Sequence, residues 1–324
     1  KETKMNKTIL RVFLAAAVVL LFCGAAMGAA AATDLIKYNG QTFSADTIIG
    51  GQGSPFTTEN ASYSGTTLTL KKNVSLTAGT LEIIAPKSDT PFTINLADKN
   101  LTGNNSASVI TVAKDAELVV TGTTGKITGG RAEFGGGVNN SGTITMNGGS
   151  ITGNNAQDSG GGVYNKGMFI MNGGTISGNT ALPQDLIFDI KCDGGGVYNS
   201  GTFTMNNGTI SGNTAGARGD SNGGSGGGVY VNSGSTFTMN NGTISGNEVS
   251  NSNTDCGGGV YVGGTFIMNN GTISGNSVKD GRTTRGGGVY VAGTFTLNGG
   301  EITGNQAESN DTVCGGGGVY VWAG

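Results

Sequence analysis

The chain has 324 residues, 63 of them glycine, with 12% charged and 35% apolar side chains. That apolar share, with glycines at fixed offsets, argues against a disordered or fibrous segment and for a repeat architecture. Acids outnumber bases by 21 to 18 and no basic stripe exists, which excludes a nucleic-acid binder.

The N-terminus carries Lys1, Lys4, Lys7 and Arg11 ahead of the apolar run "VFLAAAVVLLFCGAAMGAAAA". A basic head, a Leu/Val-rich centre and a small-residue tail predict a secretory signal over residues 1–32. An uncleaved anchor is the alternative, because the run is about long enough to span a bilayer. The alanine-rich end favours cleavage. Without this segment the chain carries 14 basic against 20 acidic side chains.

Residues 33–91 keep strand-like alternation, as in "TTLTLKK" and "TLEIIA", without glycine punctuation. They are expected to form an N-terminal cap and the first coils, since an uncovered first coil would leave a free sheet edge. Residues 92–324 are expected to be repeats. Degenerate copies come first, "FTINLADKNLTGN" and "ELVVTGTTGKITGG", followed by near-identical ones such as "GTFTMNNGTISGN" at 201–213.

The valines of the "GGGV" runs, Val138, Val163, Val197, Val229, Val260, Val289 and Val319, anchor the units. From valine to the isoleucine of "TIS" or "TIT" is 13 residues in five of six units; the step from that isoleucine to the next valine varies from 12 to 21. A rigid core with one variable segment is the mark of a solenoid with loops on one side. Within the core, "GVYV", "TFTM" and "TIS" alternate with period two, so each coil should hold three short strands. Every strand then pairs in parallel with its copy one coil on, at about 4.8 Å. Four inward columns follow: the valines; Ile144, Phe169, Phe203, Phe237, Phe266 and Phe295; Met146, Met171, Met205, Met239, Met268 and Leu297; and Ile151, Ile176, Ile210, Ile244, Ile273 and Ile302. Two asparagine columns, starting at Asn147 and at Asn154, are placed to stack their amides at the corners. The expected fold is an all-β, right-handed parallel β-helix. The sequence ends at "GGGGVYVWAG", inside a coil, as a fragment of a longer protein would.

"ISGN" followed by "GGGVY" resembles the FxxN and GGA[ILV] repeats of chlamydial polymorphic outer-membrane proteins. It is similar also to adhesin-like surface proteins with right-handed, pectin-lyase-like β-helix repeats. The resemblance rests on Ile176, Asn179 and Gly194 to Tyr198 in one unit, and on Ile210, Asn213 and Gly226 to Tyr230 in the next. Isoleucine stands for the first Phe and GGG for GGA, and no C-terminal barrel is present, so export by autotransport is not supported. The resemblance implies a fold shared by adhesins, lyases and hydrolases.

No histidine occurs, which removes His-based triads and HExxH zinc sites. Cys192, Cys256 and Cys314 lack CxxC spacing, so no metal and no cofactor is expected. Loop carboxylates, among them Asp158, Asp185, Asp189, Asp193, Asp220, Asp255, Asp280 and Asp311, sit at scattered offsets and read as solvated charge rather than a carbohydrate-active site. Tyr164, Tyr198, Tyr230, Tyr261, Tyr290 and Tyr320 each follow an anchor valine and should form an exposed aromatic strip. Such a strip can receive sugar rings or a partner surface; the alternative is mutual cross-strand support. Outward threonine pairs such as Thr202 and Thr204 form an array interrupted by Met168, Ile170 and Ile267. The expected function is non-catalytic display on a cell surface toward a glycan or protein partner, with a secreted polysaccharide lyase or glycoside hydrolase as the alternative.

Overall fold

The computed structural model describes residues 33–183, 191–216, 223–250 and 256–322, without the side chains of 281–283 and 310–314. The expected signal segment, Asp185, Asp189, Asp220 and Asp255 lie outside the described residues. The chain from Asp34 onward is an all-β parallel solenoid of about eight turns.

The four inward columns pair in the expected register. In one step Val197 lies beside Val229, Phe203 beside Phe237, Met205 beside Met239 and Ile210 beside Ile244. All eight of these side chains are fully buried. The phenylalanine rings stack along the axis, with centroids 4.9, 4.6, 4.7 and 5.0 Å apart from Phe169 to Phe295. Each buried ring stabilises the coil by about 2–3 kcal/mol relative to exposure. The degenerate copies join the same columns: Phe92, Leu118 and Ile144 are successive partners, as are Leu101, Ile127 and Ile151.

The first parallel turn is made by Thr67–Leu70, Val74–Ser75 and Leu81–Ile83. Two of its strands meet antiparallel neighbours on the outer side: Ala61–Ser64 against Thr67–Leu70, and Asp34–Tyr38 against Leu81–Ile83. Strand edges that would otherwise template further pairing are thereby covered. The Tyr38 hydroxyl fastens this arrangement by accepting the N–H groups of Thr77 at 2.7 Å and Ala78 at 2.8 Å.

Each turn from Arg131 onward carries a fourth strand in addition to the three expected. It begins directly after the "GN" corner, as in Asn155–Ser159, Thr180–Ala181, Thr214–Gly216 and Glu248–Ser250. Its inward column is small and fully buried: Ala156, Ala181, Ala215, Val249 and Val278. Two or three residues of alternation are too short to stand out at the start of a segment of changing length.

The asparagine columns are formed, and they differ. The column from Asn147 is exposed, and each amide donates to the turn before it: Asn172 to Asn147 at 2.8 Å, Asn206 to Asn172 at 2.7 Å. The column from Asn154 is buried, and each amide donates to the turn after it: Asn154 to Asn179 at 3.0 Å, Asn213 to Asn247 at 2.9 Å. A third ladder, which the sequence reading did not include, closes the valine strands of three turns. Asn140 donates to Asn165 at 2.7 Å and Asn165 to Asn199 at 2.8 Å, after which Val231 takes the position.

Candidate functional site

The glycine run before each anchor valine brings the chain from the fourth strand onto the valine strand. Gly194 opens this corner at φ 67°, a left-handed conformation that other residues rarely adopt. Gly195 follows where a Cβ would lie 2.5 Å from the Thr214 carbonyl oxygen and 2.7 Å from that of Gly227. Only glycine lets successive turns approach so closely, and this closeness puts the next outward side chain, the tyrosine, in register with its copies.

The tyrosines form one continuous stack. Ring centroids from Tyr164 to Tyr320 are 4.9, 5.0, 4.7, 5.3 and 5.5 Å apart, and successive planes differ by no more than 15°. The stack continues the expected column, but it is not the exposed strip anticipated. Tyr290 is only 1% exposed and the other five are half-buried. Beside the rings runs the residue just before each left-handed glycine. Main-chain bonds such as Gly160 N–H to the Asp193 carbonyl and Gly194 N–H to the Ser225 carbonyl align Ser159, Asp193, Ser225, Cys256 and Arg285 in a second column. This column flanks the rings. Phe134 lies against Tyr164 with centroids 4.9 Å apart, and the Arg285 guanidinium lies 5.1 Å from the Tyr320 ring centre. Lys166 covers Tyr164 from another side, its ammonium 5.0 Å from the ring centre.

Burial holds the phenols of Tyr198 and Tyr230 neutral well above the ordinary range, and the Asp193 charge adds to this. Tyr164 shifts in the same direction, through burial and then Asp158. These three phenols are thus held neutral, each hydroxyl able to donate and accept a hydrogen bond.

Two of the loop carboxylates act on a common region beside these rings despite their different offsets: the Asp158 charge is felt by Asp193 and by Cys192. An irregularity in the pairing of Asn155–Ser159 with Arg131–Phe134 adds one residue on the Asp158 side. Burial pushes the Asp193 carboxyl up to about 7, against the pull of the Ser225 N–H at 2.8 Å and of Lys191, with Asp158 adding to the rise. Asp158 is also raised, by burial first; the Ser159 hydroxyl, donating at 2.6 Å, opposes the shift and Glu133 reinforces it. Cys192 is fully buried, its thiol donating to the Gln157 carbonyl at 3.2 Å and pushed far up by burial, with the Asp158 and Asp193 charges adding to the rise. Counting offsets hides the relation, because Asp158 stands five residues before its anchor valine and Asp193 four residues before its own.

Elsewhere the carboxylates remain separate. Asp280 and Glu301 are exposed, and Glu248 pairs with Lys279 at 3.0 Å. Among the described residues no three His, Cys, Asp or Glu side chains converge to hold a metal ion. The side chains of Arg282, Asp311 and Cys314 lie outside the described residues. No protein-family model, curated protein or solved structure matches this chain.

Proposed function

We propose that this is an exported display protein, adhesin-like and without catalytic activity, which binds a glycan or protein partner at a cell surface. The continuous tyrosine stack across six turns carries the reading. Five of the six rings are half-buried rather than covered, so phenol hydroxyls and ring edges recur along the rod at one coil spacing apart from the buried Tyr290. A partner with repeating groups gains avidity from several weak contacts held in fixed order. Lys166 and Arg285 add cationic margins to the same face. Export rests on the signal-like composition of residues 1–32.

The test is retention of the full chain on arrayed glycans and on intact cells, compared with a Tyr198→Ala, Tyr230→Ala double variant. The reading requires measurable retention that the double variant weakens at least about tenfold, equivalent to ~1.4 kcal/mol. Retention unchanged in a folded double variant would remove the tyrosine face from the account.

One observation favours a second reading, a carbohydrate-active enzyme: Asp158 acts electrostatically on Asp193 beside an aromatic stack, and both carboxyls are raised above the ordinary range. A raised carboxylic acid next to a second carboxylate is the pairing that acid–base cleavage of a glycosidic bond uses. New reducing or unsaturated ends from a polysaccharide panel, abolished by Asp193→Asn and by Asp158→Asn, would replace the display reading with this one.

A further inference from the structure

The charged side chains avoid one part of the rod altogether. Over five successive turns, the phenylalanine-column and isoleucine-column strands and the corner joining them, from Thr143 to Thr152 through Thr265 to Ser274, contain no Asp, Glu, Lys or Arg. On the isoleucine strands every outward position in these turns is a hydroxyl: Ser150 and Thr152 in the first, then Thr and Ser in each of the next four, as at Thr209 and Ser211.

The corner beside these hydroxyls is a surface of amides. Its ladder is exposed, with Asn240 donating to Asn206 at 2.7 Å and Asn269 to Asn240 at 2.8 Å. An amide nitrogen carries two N–H groups and its oxygen two lone pairs. The ladder uses one of each, so every rung keeps donor and acceptor capacity for another group. On three consecutive turns a second exposed asparagine stands next to the first: Asn207, Asn241 and Asn270. Main-chain pairing repeats this double amide at about 4.8 Å along the axis.

The chemistry of an occupant follows. A polyanion or an anionic lipid surface needs cations, and these strands and their corner supply none. An apolar helix or membrane needs a greasy patch, and the exposed corner residues are amides. What remains is an uncharged, extended molecule whose groups both donate and accept at short, regular intervals. We infer that the asparagine corner is a second binding surface, distinct from the tyrosine face, which takes a neutral polysaccharide chain laid along the rod axis. Each turn offers the chain an amide pair and a flanking hydroxyl. The individual bonds are weak, and their repetition gives the affinity.

The experiment is a pull-down of the full chain with two insoluble neutral polysaccharides, cellulose and chitin, and with polygalacturonate as the charged probe. It is run between about 0.05 and about 0.5 M salt, over which electrostatic binding is strongly screened. The expected result is retention on a neutral polymer that changes little with salt. An Asn207→Ala, Asn241→Ala, Asn270→Ala variant should lose at least about tenfold of it, while the Tyr198→Ala, Tyr230→Ala variant keeps it. None of the three asparagines is a rung of the ladder or has positive φ, so the variant should retain the wild-type thermal midpoint. If it does not, Asn241→Ala alone is read in its place. Retention on polygalacturonate only, retention that the asparagine variant leaves unchanged, or loss confined to the tyrosine variant would each overturn the inference. So would binding of ice crystals, or association of the rods with one another, without retention on either neutral polymer.

Discussion

The main-chain N–H and the side-chain amide of Asn179 both donate to one oxygen, Oδ1 of Asn213, at 3.0 Å each. Asn213 in turn donates to the Ile176 carbonyl at 3.0 Å and to Asn247 at 2.9 Å. One side chain therefore satisfies polar groups on both flanking turns, all in the dry interior. Asn213→Ala should leave several of them unpaired and lower stability by roughly 3 kcal/mol or more, since each unsatisfied buried group costs about 1–3 kcal/mol. Asn206→Ala, in the exposed ladder where water replaces the lost partner, should cost less than about 1 kcal/mol. Urea denaturation of the two variants side by side measures the contrast; equal midpoints would show that burial does not set the strength of the ladders.

A second pair of substitutions separates two uses of glycine. At Gly212, φ is 60° and a Cβ would meet nothing within 4 Å, so Gly212→Ala should cost about 1–2 kcal/mol of backbone strain. At Gly195 a Cβ would lie 2.4 Å from the Thr214 carbonyl carbon, which only a backbone shift can relieve. Gly195→Ala should cost roughly 4 kcal/mol or more. Hydrogen exchange should place its damage in the valine and fourth strands of that turn. A Gly195→Ala protein as stable as Gly212→Ala would mean that neighbouring turns can separate without penalty.

Phe237 is fully buried between Phe203 and Phe266, with ring centroids 4.6 and 4.7 Å away. Phe237→Ala opens a cavity and should cost about 3–5 kcal/mol; Phe237→Leu should cost clearly less. Thermal denaturation ranks the two, and an equal loss would indicate that ring stacking outweighs filled volume.

The Asp193 carboxyl titrates near 7 in the fold, against an ordinary value of 3.8. With the folded value raised, the neutral form is the one the fold favours. Its stabilisation is complete below about pH 4 and is lost as pH rises through about 7, a change on the order of a few kcal/mol. Asp193→Asn keeps an oxygen for the Ser225 N–H and removes the titration, so its melting temperature should overtake the parent's between those limits. Parallel pH curves for the two proteins would show that Asp193 is not desolvated.

Much of the coil was legible because its columns repeat the same residue types. Val229, Phe237, Met239 and Ile244 could be aligned from spacing alone, and the pairing follows that alignment. The two-residue insertion that carries Ser233 and Gly234 shifts no column. The fourth strand was hidden because Ala181 and Ala215 are weak apolar signals inside segments of changing sequence. The ladder of Asn140, Asn165 and Asn199 was hidden because valine occupies that position on the turns either side, at Val112 and Val231. Tyrosine outwardness follows from alternation, whereas its partial burial involves groups such as Phe134, Lys166 and Arg285, which no two-residue period encodes. Asp158 and Asp193 stand five and four residues before their anchor valines, a difference that offset counting treats as scatter.

The opposed donor directions of the asparagine ladders have an electrical consequence. In the exposed column the ladder hydrogens point toward the N-terminal turns, whereas each buried amide sends one hydrogen to the C-terminal turn and the other back to an isoleucine carbonyl on the N-terminal turn. Along an α-helix the peptide dipoles add and leave partial charges at both ends. Here the amides do not all align, since the exposed ladder and the Asn140 ladder run in opposite directions and the buried amides donate both ways, and β-sheets contribute only small net dipoles. The rod can therefore lengthen turn by turn with far less end potential than a helix whose dipoles all add.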